Sequence, residues 1–281
     1  MDLDFKSISA EITSELTAGF SDISRFLNRA PVLCAVAVDP PADTLTYMRS
    51  KKRIARNIGV EFREVVLAKE EASKLENTVM ELSNDPGIDG IIIESPLPSG
   101  FKIGEIAEHI PPEKDVDGVT SRSQGLIAVN RELMLPATAY AITVAIEKLS
   151  VPKGSHIVVI NRSTIIGRPL AMMLTNRDYT VTICNSKTLN LRGIARSGNV
   201  IVTAVGKAGF LNADFVNQDS IVIDAAINFA NGKLVGDTAY DDVRDIARYV
   251  TPVPGGIGQL TPVLIYRNLL KSLQKTHEVK A

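Results

Sequence analysis

Apolar residues occur in two patterns along the first part of the chain, and these patterns predict where helices and strands lie. Between Ile8 and Leu27 they fall three or four positions apart, which is typical of one long amphipathic helix. The apolar runs Pro31–Val38 and Gly90–Ile93 are rich in β-branched residues and predict buried strands. Between these runs we expect a helix capped by Asp43 or Thr44 and ending near Ile58, a strand over Glu61–Leu67, and a helix through Leu75, Val79 and Leu82.

The second half of the chain repeats this alternation of strand and helix. Strands are predicted near residues 156–160, 180–184, 200–203 and 220–224, with helices over Ala139–Leu149 and Thr261–His277. Strands that alternate with helices form parallel sheets, so the predicted fold class is α/β. We expect two domains, residues 1–138 and 139–260, with residues 261–281 packing back on the first.

Composition narrows the class of protein. The 281 residues are 45% hydrophobic and 22% charged, and the net charge of −1 gives no reason to expect nucleic acid as a partner. The three histidines lack metal-ligand spacing, so no metal is expected. Cys34 and Cys184 lie in apolar strands and predict reduced, buried thiols. The acidic start and the lack of a long apolar run predict a cytoplasmic protein with no membrane contact.

The segment from Gly154 to Ser186 has the pattern of a strand, a turn and a helix that could bind a phosphate. Helix N-termini present free N–H groups and a positive dipole end. Ser163 and Thr164 are candidate caps, and Pro169 suits a first helical turn. The dinucleotide fingerprint is incomplete, since only Gly167 stands in a comparable place. A βα unit without a ligand therefore remains an equal alternative on these residues alone.

The following strand, Thr180–Cys184, favours one nucleotide over another. It ends in Asn185–Thr188, where a fold that prefers NAD would carry an acid against the ribose hydroxyl. Here the residues are an amide, hydroxyls and a lysine, and Arg162 stands at the preceding turn. These groups suit a ribose phosphate, so we expect NADP as the cofactor.

Three further features could carry chemistry, and each has a structural alternative. Tyr47 and Lys51 are four apart on a predicted helix, which suits a flat substrate beside an amine but is also typical of a surface lysine over a tyrosine. Residues 112–118 contain several charged side chains just before an interdomain segment. They could belong to a functional site, or they could be a solvent-exposed run of charges. Residues 251–258 contain three glycines and two prolines, typical of close backbone approach or of a simple turn.

Taken together, these motifs resemble the methylenetetrahydrofolate dehydrogenase/methenyltetrahydrofolate cyclohydrolase family over nearly the whole chain. The matching stretches are Tyr47–Lys51, Glu94–Pro98, Lys114–Gly118, Arg162–Ser163 with Gly167, Asn185–Thr188, Asp224–Asn228, Val235–Asp237 and Pro252–Gly256. The resemblance implies two α/β domains flanking a cleft, the first a folate-binding catalytic domain and the second Rossmann-like. It also implies a homodimer formed through the second domain.

The resemblance also implies roles for individual residues. Lys51 would be the cyclohydrolase lysine, Tyr47 would stack on the folate, and Asp117 would hydrogen-bond the pterin. The other residues expected beside the substrate are Ile93, Glu94, Ser95, Pro254, Gly255 and Gly256. The residues expected beside NADP are Arg162 and Ser186 at the ribose phosphate, Asn161, Ser163 and Gly167 at the pyrophosphate turn, and Ile227 near the nicotinamide.

The chain departs from the family pattern at four positions. Asp39 and Asn161 replace glycines, Ala139 replaces a proline, and Glu94 replaces a glutamine. A carboxylate beside Lys51 would favour its ammonium form and weaken it as a base. Alternatively, Glu94 is protonated and mimics the amide, or is itself the base.

The function expected from the resemblance is NADP-dependent oxidation of 5,10-methylenetetrahydrofolate and hydrolysis of the methenyl product to 10-formyltetrahydrofolate. One alternative is a dehydrogenase whose cyclohydrolase activity is weak or lost because of Glu94. Another is a non-enzymatic NADP sensor, which would leave Tyr47, Lys51 and Asp117 without a role.

Overall fold

The computed structural model describes residues 3–230 and 232–278, and these form two compact units. Residues 9–137 and 262–278 make up the first unit, and residues 3–8 and 138–261 the second. The last three residues of the predicted C-terminal segment, 279–281, lie outside the described residues.

Ten α-helices and ten strands are described, and most follow the predicted pattern. The helices are α1 (Phe5–Leu27), α2 (Ala42–Ile58), α3 (Leu75–Asn84), α4 (Ile103–Ala107), α5 (Ser121–Ala128), α6 (Ala137–Lys148), α7 (Gly167–Thr175), α8 (Leu191–Ser197), α9 (Tyr240–Arg244) and α10 (Thr261–Thr276). The strands are β1 (Val32–Val38), β2 (Glu61–Leu67), β3 (Gly90–Ile93), β4 (His156–Ile160), β5 (Thr180–Cys184), β6 (Val200–Thr203), β7 (Ile221–Asp224), β8 (Asn228–Ala230), β9 (Lys233–Val235) and β10 (Tyr249–Val250).

The first unit contains a parallel sheet in the order β2-β1-β3. Every residue of β1 is buried, because this strand lies in the centre and helices cover the sheet. The chain winds from β1 to β2 on one side and then crosses to β3 on the other. Ligands bind at such a reversal, beyond the carboxyl ends of the two strands. Here those ends lead into Asp39 and Glu94.

The second unit contains a five-stranded parallel sheet in the order β10-β7-β6-β4-β5. It reverses direction between β4 and β6, whose carboxyl ends lead into Asn161 and Ala204. The α/β fold class is therefore confirmed in both units. The antiparallel hairpin β8-β9 and the short strand β10 had no prediction, since each has only two or three residues.

Two backbone features correct or explain the sequence pattern around α2. The helix begins at Ala42 with Pro41 as its N-cap residue, which makes no side-chain cap hydrogen bond, so the predicted caps Asp43 and Thr44 were wrong. Instead the Thr44 hydroxyl donates to the Ser95 carbonyl at 2.7 Å and ties α2 to the loop after β3. Asp39 has φ +44°, a left-handed conformation that explains why glycine suits this position.

Among the described residues, none of the helices combines the length and the hydropathy that a membrane span requires.

Candidate functional site

The predicted lysine and its acidic neighbour meet in the first unit. α2 carries Lys51, and Glu94 is the first residue after β3. The Lys51 Nζ donates to both carboxylate oxygens, at 2.7 Å to Oε1 and 2.8 Å to Oε2. Their side chains are only 13% and 8% exposed, so the pair is largely shielded from water. The geometry is that of a two-point ion pair between the amine and the carboxylate.

Asp117 lies in a turn of the first unit, further along the chain than the last strand of its sheet. Hydrogen bonds and close packing hold this turn in place. The buried Asp115 carboxylate accepts hydrogen bonds from the main-chain N–H groups of Val119 and Thr120. Gly118 has φ +63°, and a Cβ at this position would lie 2.7 Å from the Leu135 carbonyl carbon. Only glycine fits such a close approach, so the position of the turn is defined by packing.

The charge of Asp117 is sensitive to its neighbours. Its pKa is raised to about 7, chiefly because the surrounding protein excludes water, while Lys51 opposes the rise and Asp115 and Glu94 add to it. The electrostatic influence of Lys51 and Glu94 on Asp117 means that the structure brings these three predicted residues together.

Tyr47 completes the group on α2, one turn before Lys51. Its ring is half-buried, and burial together with Asp43 raises the pKa of its hydroxyl. Ile93 is buried at the end of β3 and Ser95 is exposed just beyond Glu94. The structure thus gathers an aromatic ring, an amine and two carboxyl groups at the carboxyl edge of the first sheet.

In the second unit, the turn after β4 is organised by an amide side chain. Asn161 Oδ1 accepts from the N–H groups of Ser163 at 2.7 Å and Gly167 at 3.1 Å, and Nδ2 donates to the Ala204 carbonyl. α7 begins at Gly167 after Ile166, so the predicted helix caps Ser163 and Thr164 were wrong. The Ser163 hydroxyl instead accepts from the Ile166 N–H at 3.1 Å, within the turn.

Gly167 cannot carry a side chain in this arrangement. A Cβ there would lie 2.0 Å from the Asn161 carbonyl oxygen. This close approach between strand end and helix start is the one that the dinucleotide fingerprint reserves for glycine. The turn therefore has the backbone form of a nucleotide-binding βα unit even though Asn161 replaces the first glycine.

Arg162 and Ser186 lie at neighbouring strand ends. Ile160 of β4 pairs with Cys184 of β5, and each predicted phosphate ligand stands two residues beyond its strand. Both side chains are exposed. The turn after β5 is closed by the Asn185 N–H, which donates to the Thr188 hydroxyl at 2.9 Å, and no acid stands in it. The Arg162 guanidinium and the Ser186 hydroxyl are groups that can donate hydrogen bonds to a ribose phosphate.

Sequence reasoning missed a buried carboxylate in the second unit that holds the loop after β6. Asp237 is fully buried, and its carboxylate accepts from the Thr203 hydroxyl and from the N–H groups of Val205 and Lys207. It thereby holds the loop after β6, directly beyond the reversal point. The only signal in the sequence was the family-like stretch Val235–Asp237. Ile227, predicted near the nicotinamide, is 44% exposed between β7 and β8.

The glycine-rich loop also belongs to the second unit. Gly255 has φ +103°, and a Cβ on Gly256 would lie 2.4 Å from the Pro252 carbonyl oxygen. Pro254 and Gly255 are exposed. The glycines are thus required by the turn itself, whatever the loop contacts.

Comparison with known proteins identifies the family. Residues 3–117 match the catalytic domain, and residues 136–277 the NAD(P)-binding domain, of tetrahydrofolate dehydrogenase/cyclohydrolase. The chain belongs to this family. The expected resemblance is confirmed over both halves of the chain.

Individual members of the tetrahydrofolate dehydrogenase/cyclohydrolase family resemble the chain over most of their length. The bifunctional protein FolD of Thermoplasma acidophilum is 41% identical over 231 residues, which is 81% of this chain and 82% of that protein. The crystal structure of the dehydrogenase/cyclohydrolase from the same organism has a TM-score of 0.88 and 36% identity, covering 95% of this chain and 97% of that one. The Trypanosoma brucei enzyme, solved with NADP and an inhibitor, has a TM-score of 0.92 and 28% identity, covering 99% of each chain.

Proposed function

We propose that this member of the family oxidises 5,10-methylenetetrahydrofolate with NADP and hydrolyses the resulting methenyl cation to 10-formyltetrahydrofolate. The observation that carries the proposal is the Lys51 amine, held in a shielded site at the reversal point of the first sheet beside Tyr47 and Asp117. Matches to both domains of a bifunctional family support the assignment.

The nucleotide fits the second unit. The absence of a side chain on Gly167 leaves the turn its close backbone approach, while Arg162 and Ser186 offer a cation and a hydroxyl for a ribose phosphate. We propose that these residues hold NADP together with Asn161, Ser163 and Ile227. When bound, NADP supplies the acceptor for the hydride; the protein contributes binding and alignment.

In the first unit, we propose that Tyr47 stacks on the folate and that Asp117 hydrogen-bonds the pterin. Ile93 and Ser95 complete the proposed folate contacts in this unit. The loop residues Pro254, Gly255 and Gly256 of the second unit stay predictions of the family resemblance. Lys51 would orient and activate the water that opens the methenyl cation, which requires a group able to exchange a proton there.

The ion pair favours a second version of this function. Both carboxylate oxygens accept hydrogen bonds from the Lys51 amine, and an amine engaged in an ion pair is less free to take a proton from water. A chain of this kind would be a dehydrogenase with slow cyclohydrolase activity, unless Glu94 takes the proton from water itself.

One spectrophotometric experiment tests these functions together. Methylenetetrahydrofolate with NADP should give NADPH, and added methenyltetrahydrofolate should lose its absorbance as it is hydrolysed. NADPH formation without hydrolysis would identify a dehydrogenase only. Absence of both reactions would favour the alternative that the protein is a non-enzymatic NADP sensor.

Replacing Glu94 by glutamine should change the hydrolytic step more than the oxidation. The amide carries no charge to pair with the amine, so the cyclohydrolase rate near neutral pH should rise and its pH profile should shift. Both activities are measured against pH in the two proteins. Glu105→Gln is the control, because it removes an acid from an exposed ion pair with Lys102. A cyclohydrolase profile that Glu94→Gln leaves unmoved would show that Glu94 does not act on Lys51.

Asp117 should make folate binding depend on pH. Because its pKa is about 7, it loses its charge as pH falls through that value, and a neutral acid accepts hydrogen bonds from the pterin less strongly. We expect KM for the folate to rise below about pH 7 in the unmutated protein and to be flat across this range in Asp117→Asn. Glu113→Gln, an exposed acid of the same segment, should keep the pH dependence. The same dependence in Asp117→Asn would assign the titration to another group.

Three further properties are proposed from the family resemblance. The protein would be a homodimer formed through the second unit, where β5 is an edge strand with Ile183 41% exposed. It would be cytoplasmic, in keeping with free thiols at Cys34 and Cys184, and would bind no nucleic acid. Sedimentation of the purified chain measures its oligomeric state.

A further inference from the structure

Buried side chains of the last helix of the first unit donate hydrogen bonds to the segments that carry the candidate site residues. Tyr266 of α10 is completely buried, and its hydroxyl donates to the main-chain carbonyl of Lys51 at 2.8 Å. Lys51 lies in the middle of α2, where its carbonyl also serves the helix. A carbonyl oxygen has two lone pairs, so it can accept this second bond. The bond therefore restrains α2 at the residue that carries the amine.

Asn268 makes the corresponding contact with the segment of Asp117. Its Nδ2 donates to the Val116 carbonyl at 2.8 Å and to the Leu135 carbonyl at 2.7 Å. Val116 directly precedes Asp117, and Gly118 directly follows it, with no room for a side chain against Leu135. Asn268 thus connects the segment at Val116 with the segment at Leu135, and the Asp117 turn packs between them. Because Asn268 is only 1% exposed, solvent cannot readily replace these hydrogen bonds if they are lost.

Tyr266 and Asn268 are separated by two positions on one helix, so a single rigid element contacts both sides of the group. Burial and the nearby Glu94 carboxylate raise the pKa of the Tyr266 hydroxyl, which places this hydroxyl in the same charged neighbourhood. We propose that α10 sets the relative positions of Lys51 and Asp117, with Tyr266 and Asn268 as positioning residues. This inference rests on the proposed function, in which Lys51 serves the hydrolytic step and Asp117 holds the pterin.

The helix also provides a matched control. Ser272 of α10 is 4% exposed, and its hydroxyl donates to the Glu113 carbonyl. This is again a hydrogen bond from a buried side chain of α10 to main chain, but Glu113 is exposed and no role is proposed for it. Ser272→Ala removes a comparable bond without touching Lys51 or the Asp117 turn.

The experiment compares Tyr266→Phe, Asn268→Leu and Ser272→Ala with the unmutated chain. Tyr266→Phe keeps the ring and should lower kcat for methenyl hydrolysis by about two- to tenfold, with little change in the folate KM, since one buried hydrogen bond is lost. Asn268→Leu should mainly raise the folate KM, because it releases the Asp117 turn. Ser272→Ala should leave both constants unchanged. All three should bind NADP normally, since they alter the first unit.

Two results would overturn the inference: unchanged kcat in Tyr266→Phe, or a fall in kcat that Ser272→Ala reproduces. Tyr266→Phe decides the matter even where Asn268→Leu does not fold. The unmutated chain separates this inference from the proposed function. If the unmutated chain turns over neither methylenetetrahydrofolate nor methenyltetrahydrofolate, the proposed function is wrong. If it turns over both and Tyr266→Phe has an unchanged kcat, only the role of α10 is refuted.

Discussion

Lys51→Met should reduce methenyl hydrolysis by about 10²- to 10⁴-fold while hydride transfer remains measurable, because a positioned proton-transfer group contributes about that much to a rate. Methionine keeps the length and apolar stem of lysine but cannot exchange a proton. Hydride transfer depends on alignment of substrate and nucleotide, which the variant leaves in place. Both rates are measured on the same preparations. Equal loss of both activities would mean that Lys51 only positions the substrate.

The same variant should lose stability, and a second substitution separates this effect from chemistry. Removing one partner of a buried ion pair leaves the other charge unpaired, at a cost of about 3–5 kcal/mol unless the acid takes up a proton. Glu94 is 8% exposed on its side chain and would be left in this state. The double variant Lys51→Met/Glu94→Gln should therefore regain Tm without regaining hydrolysis. Hydrolysis restored together with stability would show that the single variant failed through misfolding.

Arg162→Ala should weaken NADP binding by about ten- to a hundredfold and change NAD binding little, because a charge-assisted bond to phosphate is worth about 1.5–3 kcal/mol. Only NADP carries the ribose 2′-phosphate that the guanidinium would pair with. Dissociation constants for both nucleotides give the ratio directly. Arg196→Ala provides the control, since it removes an exposed arginine from α8 in the same unit. Equal use of NAD and NADP by the unmutated chain would contradict the assignment of Arg162.

The similar winding of the two sheets explains why candidate residues cluster in two places. Each sheet reverses direction beside its first strand, between β1 and β3 and between β4 and β6. The strand that precedes each reversal leads into a position where the family resemblance implies glycine, and these positions are occupied here by Asp39 and Asn161. Asp39 meets the backbone demand by adopting φ +44°, whereas Asn161 uses its side chain to bond the turn.

Much of the secondary structure was predictable from local pattern. β1, β3 and β4 are short runs of β-branched and apolar residues, and such runs are typical of strands buried in parallel sheets. The helix caps were less predictable. Ser163 and Thr164 have suitable side chains, but the oxygen over the Gly167 N–H comes from Asn161, six residues earlier. Which oxygen reaches an N–H depends on the path of the turn, and residue type alone does not specify that path.

Local pattern and motifs were sufficient to predict the fold class, the family and the chemical groups: an amine on one helix, an acid after a strand, and no acid at the ribose position. The shielded two-point ion pair of Lys51 and Glu94 could not be predicted in this way, because folding brings together two residues that are 43 positions apart. Tyr266 contacts Lys51 across 215 positions of sequence. Contacts between residues so far apart leave no periodic pattern in a single sequence, because folding of the whole unit brings them together.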